Sequence, residues 1–158
     1  MSRRSDVPIA GLPNVAAWLP FVVAGAVLVL AGGMVAAAGG EAPSRHLSWA
    51  SAYLVLVCGA TQIFLGGGQA MLVRQPARRL VLAQLVTFEL GNACVLVGTL
   101  SGVHGVLYAG SATLFVSLAM FAWSTRAATL RPRLFVIAYR ALVVLLAVGV
   151  PAGSVLAR

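Results

Sequence analysis

Lysine is absent from this chain of 158 residues, and acidic residues are nearly so: Asp6, Glu41 and Glu89 are the only three. Histidine is confined to His46 and His104, and cysteine to Cys58 and Cys94. These shortages exclude several kinds of chemistry. The chain has no nucleophile, base and acid grouped in a motif, no H-E-x-x-H helix, and no glycine-rich loop carrying Lys and Ser/Thr. The run GGGQAML, Gly66 to Leu72, lacks both the amine and the hydroxyl of a phosphate loop and reads as a loosened helix end. No enzyme is expected. The two cysteines sit inside apolar runs without C-x-x-C spacing, against both a disulfide scaffold and a zinc site, and read as small buried apolar residues.

Polar sequence of every kind is scarce. Hydrophobic residues make up 61% of the chain and charged residues 9%, whereas soluble domains run at roughly 45–50% and ~25%. What is present in quantity is long apolar sequence. Five runs, about 17–38, 47–70, 80–100, 103–123 and 134–156, are each long enough to cross about 30 Å of hydrocarbon at 1.5 Å per residue. Backbone groups in lipid must be satisfied within their own segment, so these runs are expected as helices. The expectation is an all-α, five-span transmembrane bundle forming one integral membrane domain over 1–158, with 1–16 a short cytoplasmic tail. Trp18 to Ala38 exceeds the core of about 7–15 residues in an export signal, so the first run is expected as a retained anchor.

All eleven basic residues are Arg, and all but Arg140 fall outside the apolar runs rather than on a soluble face, which turns the charge of +8 toward membrane orientation and away from nucleic acid. Arg3 and Arg4 precede the first run, Arg74, Arg78 and Arg79 follow the second, and Arg126, Arg131 and Arg133 follow the fourth. The opposite side carries Arg45 and Arg158. The positive-inside rule then predicts a multi-pass protein of the cell's inner membrane, N-terminus cytoplasmic and C-terminus outside. The short links MLVRQPARR, SGVHG and STRAATLRPR make sequential helices antiparallel neighbours, with Pro132 at a helix start that tolerates it.

Glu89 interrupts one of the most apolar stretches. A central carboxylate costs about 2.5–3.5 kcal/mol on insertion scales, so it should face the bundle and have a partner. Gln62 lies at the matching depth of the hairpin formed by the second and third runs, and Arg140 on the fifth run is a second candidate. Asn92 and Thr99 share the Glu89 side of their helix, and Gln69 shares the face of Gln62. A polar seam of Glu89, Gln62, Asn92 and Arg140 is therefore expected. The stripes Ala52, Gly59, Gly66 and Gly91, Gly98 allow close helix approach, within the chain or between protomers. His46 and His104 both fall at outer helix ends, where two imidazoles can hold a haem iron or another metal.

Three functions follow as expectations. The first is a non-enzymatic subunit, assembly factor or scaffold of a membrane complex, working in the lipid bilayer as a homo-oligomer or beside other membrane proteins. The second is a small channel or transporter built on the Glu89, Gln62, Asn92 seam. The third is a haem- or metal-binding electron-transfer module using His46 and His104.

Overall fold

A computed structural model describes residues 15–42, 44–73, 76–127 and 133–156; side chains are described from Trp18 onward and as far as Val148. Arg3, Arg4, Arg74, Arg131, Pro132 and Arg158 lie outside these ranges. The described residues form helices and short links, with no strand among them. The helices are α1 (Val15–Ala38), α2 (Arg45–Leu72), α3 (Arg78–Ser101), α4 (His104–Ser124) and α5 (Arg133–Leu156). Their bounds fall within two residues of the apolar runs. Four of them, α1 to α4, are long and apolar enough to cross a membrane.

The ends of the helices follow from local chemistry. Ser44 caps α2, its hydroxyl accepting from the Leu47 amide at 3.3 Å and so satisfying one of the free first-turn donors. Gly102 closes α3 at φ 71°, a left-handed conformation that favours glycine after a helix, and α4 begins two residues later. At the other end, the Arg126 guanidinium lies 3.8 Å from the centre of the Trp123 ring, a pairing suited to a membrane boundary.

One feature of α2 departs from a uniform α-helix. Tyr53–Ala60 winds as a π-helix, and the Thr61 amide reaches back to the Leu56 carbonyl. The Thr61 hydroxyl donates to the same oxygen at 2.9 Å. A π segment widens the helix and rotates the residues beyond it, and such segments are frequent at functional sites.

Packing divides the bundle into two tight antiparallel hairpins. In the first, Gly25 of α1 faces Gly59 of α2 so closely that a Cβ on either would stand 2.8–2.9 Å from the other's carbonyl oxygen, and a Cβ on Gly66 would meet the Phe21 ring at 2.5 Å. In the second, a Cβ on Gly98 of α3 would run into the backbone of Leu107 on α4, and one on Gly110 of α4 would meet the Val95 nitrogen of α3 at 2.7 Å. Gly59, Gly66, Gly91 and Gly98 are therefore used in packing inside the chain, whereas Ala52, expected on the stripe of Gly59 and Gly66, is exposed. Helix α5 packs mainly on α4, while its Tyr139 ring lies against Gly68 of α2, and an apolar groove of about 480 Å³ opens between α5 and the end of α2, lined by residues such as Gly68, Met71, Phe135 and Leu142.

The two hairpins meet differently. Helices α2 and α3 stand farther apart than the partners within either hairpin, and long side chains reach into the space. Phe21 of α1 and Phe121 of α4, both fully buried, touch across it with ring centroids 5.5 Å apart. Outward faces are mostly apolar, as in Leu30 at 68% and Phe64 at 67% exposure, with the exposed arginines near helix ends apart from Arg140 on α5, which suits lipid rather than water.

The close approach at Gly98 gives a direct test. Replacing Gly98 by Leu forces α3 and α4 apart and should cost about 1–3 kcal/mol, the usual range for overpacking. Gly33→Leu, at a position where a Cβ meets nothing within 4 Å, should leave the thermal transition in detergent unchanged.

Candidate functional site

The space between the hairpins is where the polar side chains gather. Glu89 is the twelfth of the 24 residues of α3, hence halfway along a helix long enough to span. Gln62 of α2 is fully buried and lies beside it, close enough to interact with the carboxylate. Neither amide atom of Gln62 closes a hydrogen bond, and the Glu89 Oε1 is likewise buried without a protein partner. Cys58, buried on the π segment, is within electrostatic reach of Glu89, and Tyr53 is within reach of Cys58.

Asn92 is held firmly. The Tyr53 hydroxyl donates to its Oδ1 at 2.8 Å, and its Nδ2 donates to the Phe88 carbonyl at 2.9 Å. This is the hydrogen-bonded clamp that ties α2 to α3 on the side of Glu89 nearer the Ser101–His104 link. Toward the opposite end, Gln69 of α2 and Gln84 of α3 are buried to 1% and 0% exposure, again with both amide atoms unpartnered. The Ser117 hydroxyl of α4 donates to the Gln84 carbonyl at 3.3 Å, and the Tyr139 hydroxyl of α5 donates to the Leu65 carbonyl at 3.1 Å. Those bonds satisfy backbone oxygens and leave the glutamine amides alone.

Among the described residues, then, seven buried side-chain atoms have no protein partner, and all belong to Gln62, Gln69, Gln84 and Glu89. Leaving a buried amide or carboxylate unsatisfied costs about 1–3 kcal/mol per group. Buried polar groups so placed are usually met by water or a polar ligand. The geometry fits a row of polar sites inside the bundle rather than a dry clamp.

Of the expected seam, the structure sets Gln62 beside Glu89, whereas Asn92, three residues further along α3, bonds to Tyr53 and the Phe88 carbonyl. The structure does not bring in Arg140, which is exposed and donates to the Thr125 carbonyl at the end of α4, 3.4 Å away. The long guanidinium stem reaches a free helix-end carbonyl near the boundary instead of the bundle centre, as snorkelling side chains do. Thr99 is only half-buried.

Gln84 and Tyr53 were not singled out from the sequence. Gln84 was findable, because Gln84, Gly91 and Gly98 repeat at seven residues and so share the packed stripe of α3. Tyr53 was hidden by the π segment, which changes the angular position of residues counted along α2.

The histidines are both exposed, and the His104 ring lies 6.5 Å from that of Tyr108. No group of three or more His, Cys, Asp or Glu capable of holding a metal occurs among the described residues. Both thiols are free; Cys58 is buried among the polar row, whereas Cys94 packs toward Gly110 on α4.

A double-mutant cycle on Tyr53→Phe and Asn92→Ala should return a coupling of about 0.6 kcal/mol, the mean for interhelical hydrogen bonds in membranes. It is read from unfolding in mixed micelles. Coupling indistinguishable from zero would mean that the two side chains do not bond across the helices.

No protein-family model, curated protein or solved structure matches this chain, so its function is argued from its own residues.

Proposed function

We propose that this chain is a small channel or transporter of the cell's inner membrane, and that the polar row between its two hairpins is the path. It crosses the bilayer five times, with the N-terminus cytoplasmic and the arginine-bearing links at Leu72–Arg78 and Ser124–Arg133 on the cytoplasmic side. What carries the reading is the set of seven partnerless buried atoms on Gln62, Gln69, Gln84 and Glu89. A bundle held only by interhelical clamps has no need of them, since Tyr53, Asn92 and the glycine contacts already supply that function. A carboxylate halfway through the membrane is also the usual mark of an ion or proton pathway.

A second reading, a non-enzymatic subunit or assembly component, is favoured by α1. Of its described side chains and glycines only Phe21, Gly25 and Gly32 are buried, so most of the helix is free to meet lipid, a second copy or another membrane protein. Stoichiometric co-purification of another protein from native membranes, together with an absence of flux after reconstitution, would establish that reading in place of the first.

Orientation is tested by labelling Ser44→Cys in a background without Cys58 and Cys94. An impermeant thiol reagent should reach it from outside only; labelling from the cytoplasm alone overturns the assignment. The path is tested at Glu89. In liposomes, Glu89→Gln should insert and assemble normally but lose pH-dependent flux, because it keeps the shape and hydrogen bonding while removing titration. Glu89→Leu should lose flux and assemble poorly as well. Flux through Glu89→Gln equal to the wild type from pH 5 to 8 would remove the carboxylate from the path.

A further inference from the structure

Resting on that reading, we infer that the passenger is a proton, and that it moves between Glu89 and the arginine-bearing end of the bundle along water held by Gln62, Gln84 and Gln69. Depth supports the arrangement. Counting 1.5 Å per residue from the Leu72 and Arg78 helix ends, Gln69, Gln84, Gln62 and Glu89 lie about 4.5, 9, 15 and 16.5 Å into the bundle. Successive gaps of up to about 6 Å are spanned by one or two waters at hydrogen-bond spacing. An amide offers both a donating NH₂ and an accepting oxygen, so each glutamine can hold a water in either orientation as a proton passes. None of the three carries a charge that would trap it.

The same inventory argues against a bare metal cation. At the level of Glu89 the side-chain oxygens open to a cation are the two of the Glu89 carboxylate, of which Oε1 is buried without a partner, and Gln62 Oε1, while Asn92 Oδ1 is taken by Tyr53. Three oxygens fall well short of the six to eight that a dehydrated hard cation such as calcium requires, and potassium filters use rings of carbonyls. A proton needs one carboxylate and a hydrogen-bonded neighbour.

The groups facing the row leave Glu89 as its proton carrier. From α2 come Tyr53, which is hydrogen-bonded to Asn92, and the Cys58 thiol; from α4 comes the Ser117 hydroxyl; from α1 comes the Phe21 ring. From α5, Tyr139 is bonded to the Leu65 carbonyl, and Arg140 is turned away to the Thr125 carbonyl. Beyond Glu89 the Tyr53–Asn92 bond closes the row. The path is thus a half-channel: Glu89 takes a proton from the water file, becoming the neutral acid, and returns it to the file or passes it on when the Tyr53–Asn92 bond opens.

The test uses the full-length protein in liposomes, with a potassium gradient and valinomycin setting the potential. Proton entry is read with an internal pH dye, and sodium and rubidium entry by isotope uptake. The wild type should pass protons and neither cation. Gln84→Leu, an apolar replacement of similar size, should cut proton flux at least tenfold, and Tyr53→Phe should raise it by opening the far side. Should Gln84→Leu fail to assemble, Gln69→Leu carries the same expectation.

Sodium or rubidium uptake that disappears in Glu89→Gln would overturn the proton assignment while leaving the transport reading in place. Absence of any flux overturns both. A Gln84→Leu protein with a higher melting temperature and undiminished proton flux would show that the amide was an unsatisfied group in a dry core, and would remove the water file.

Discussion

Close contact between glycine backbones is the constraint on which this fold depends. In lipid, an apolar side chain gains nothing by leaving the solvent, so helices hold together through dispersion packing and a few polar bonds. Gly25 against Gly59, and Gly98 against Leu107, bring two helix pairs to distances that a single Cβ would prevent. Because that contact is spent within each hairpin, the hairpins cannot approach each other as closely. The space left over is lined by side chains such as Tyr53, Gln62, Gln69, Gln84 and Glu89 rather than by backbone.

This division of labour accounts for where the polar residues are. Glutamine and tyrosine are long enough to bridge the wider gap, and a fully apolar seam of that width would need bulky side chains such as the Phe21–Phe121 pair along its whole length. One polar pair, Tyr53 and Asn92, is satisfied within the protein and ties the hairpins together. The others are not satisfied within the protein, and the cost of that arrangement is the physical basis for reading them as a path. The π segment of α2 belongs to the same picture, since it lies where Tyr53 and Cys58 turn toward α3.

The five helices were legible in the sequence to within two residues, and four of them are long and apolar enough to cross a membrane, because apolar composition and helical rise leave little freedom in their placement. Glu89 beside Gln62 was legible from equal depth in a hairpin. The placement of Arg140 was not, since a flexible guanidinium stem can reach several partners from one helix position, and the nearby Thr125 carbonyl decided among them. The glycine stripes were visible as stripes, but spacing on one helix does not say which neighbour fills it. Gln84 lay on such a stripe and was passed over because a stripe was read for its small residues. The π turn was not legible, since an apolar run such as YLVLVCGA reads alike for an α- and a π-helix.

The central claim is that the seam between the hairpins is wet while the outer face of the same helices meets lipid. It is tested most directly by thiol reactivity in membranes, in a background lacking Cys58 and Cys94, because a thiol reacts as the thiolate and forms it in water. Gln62→Cys, buried at the centre of the seam, should be modified by a small, water-soluble methanethiosulfonate, whereas Val86→Cys, on a face 60% exposed to the surroundings of the bundle, should not. Equal inertness at both positions would contradict the account and leave the seam a dry packing interface.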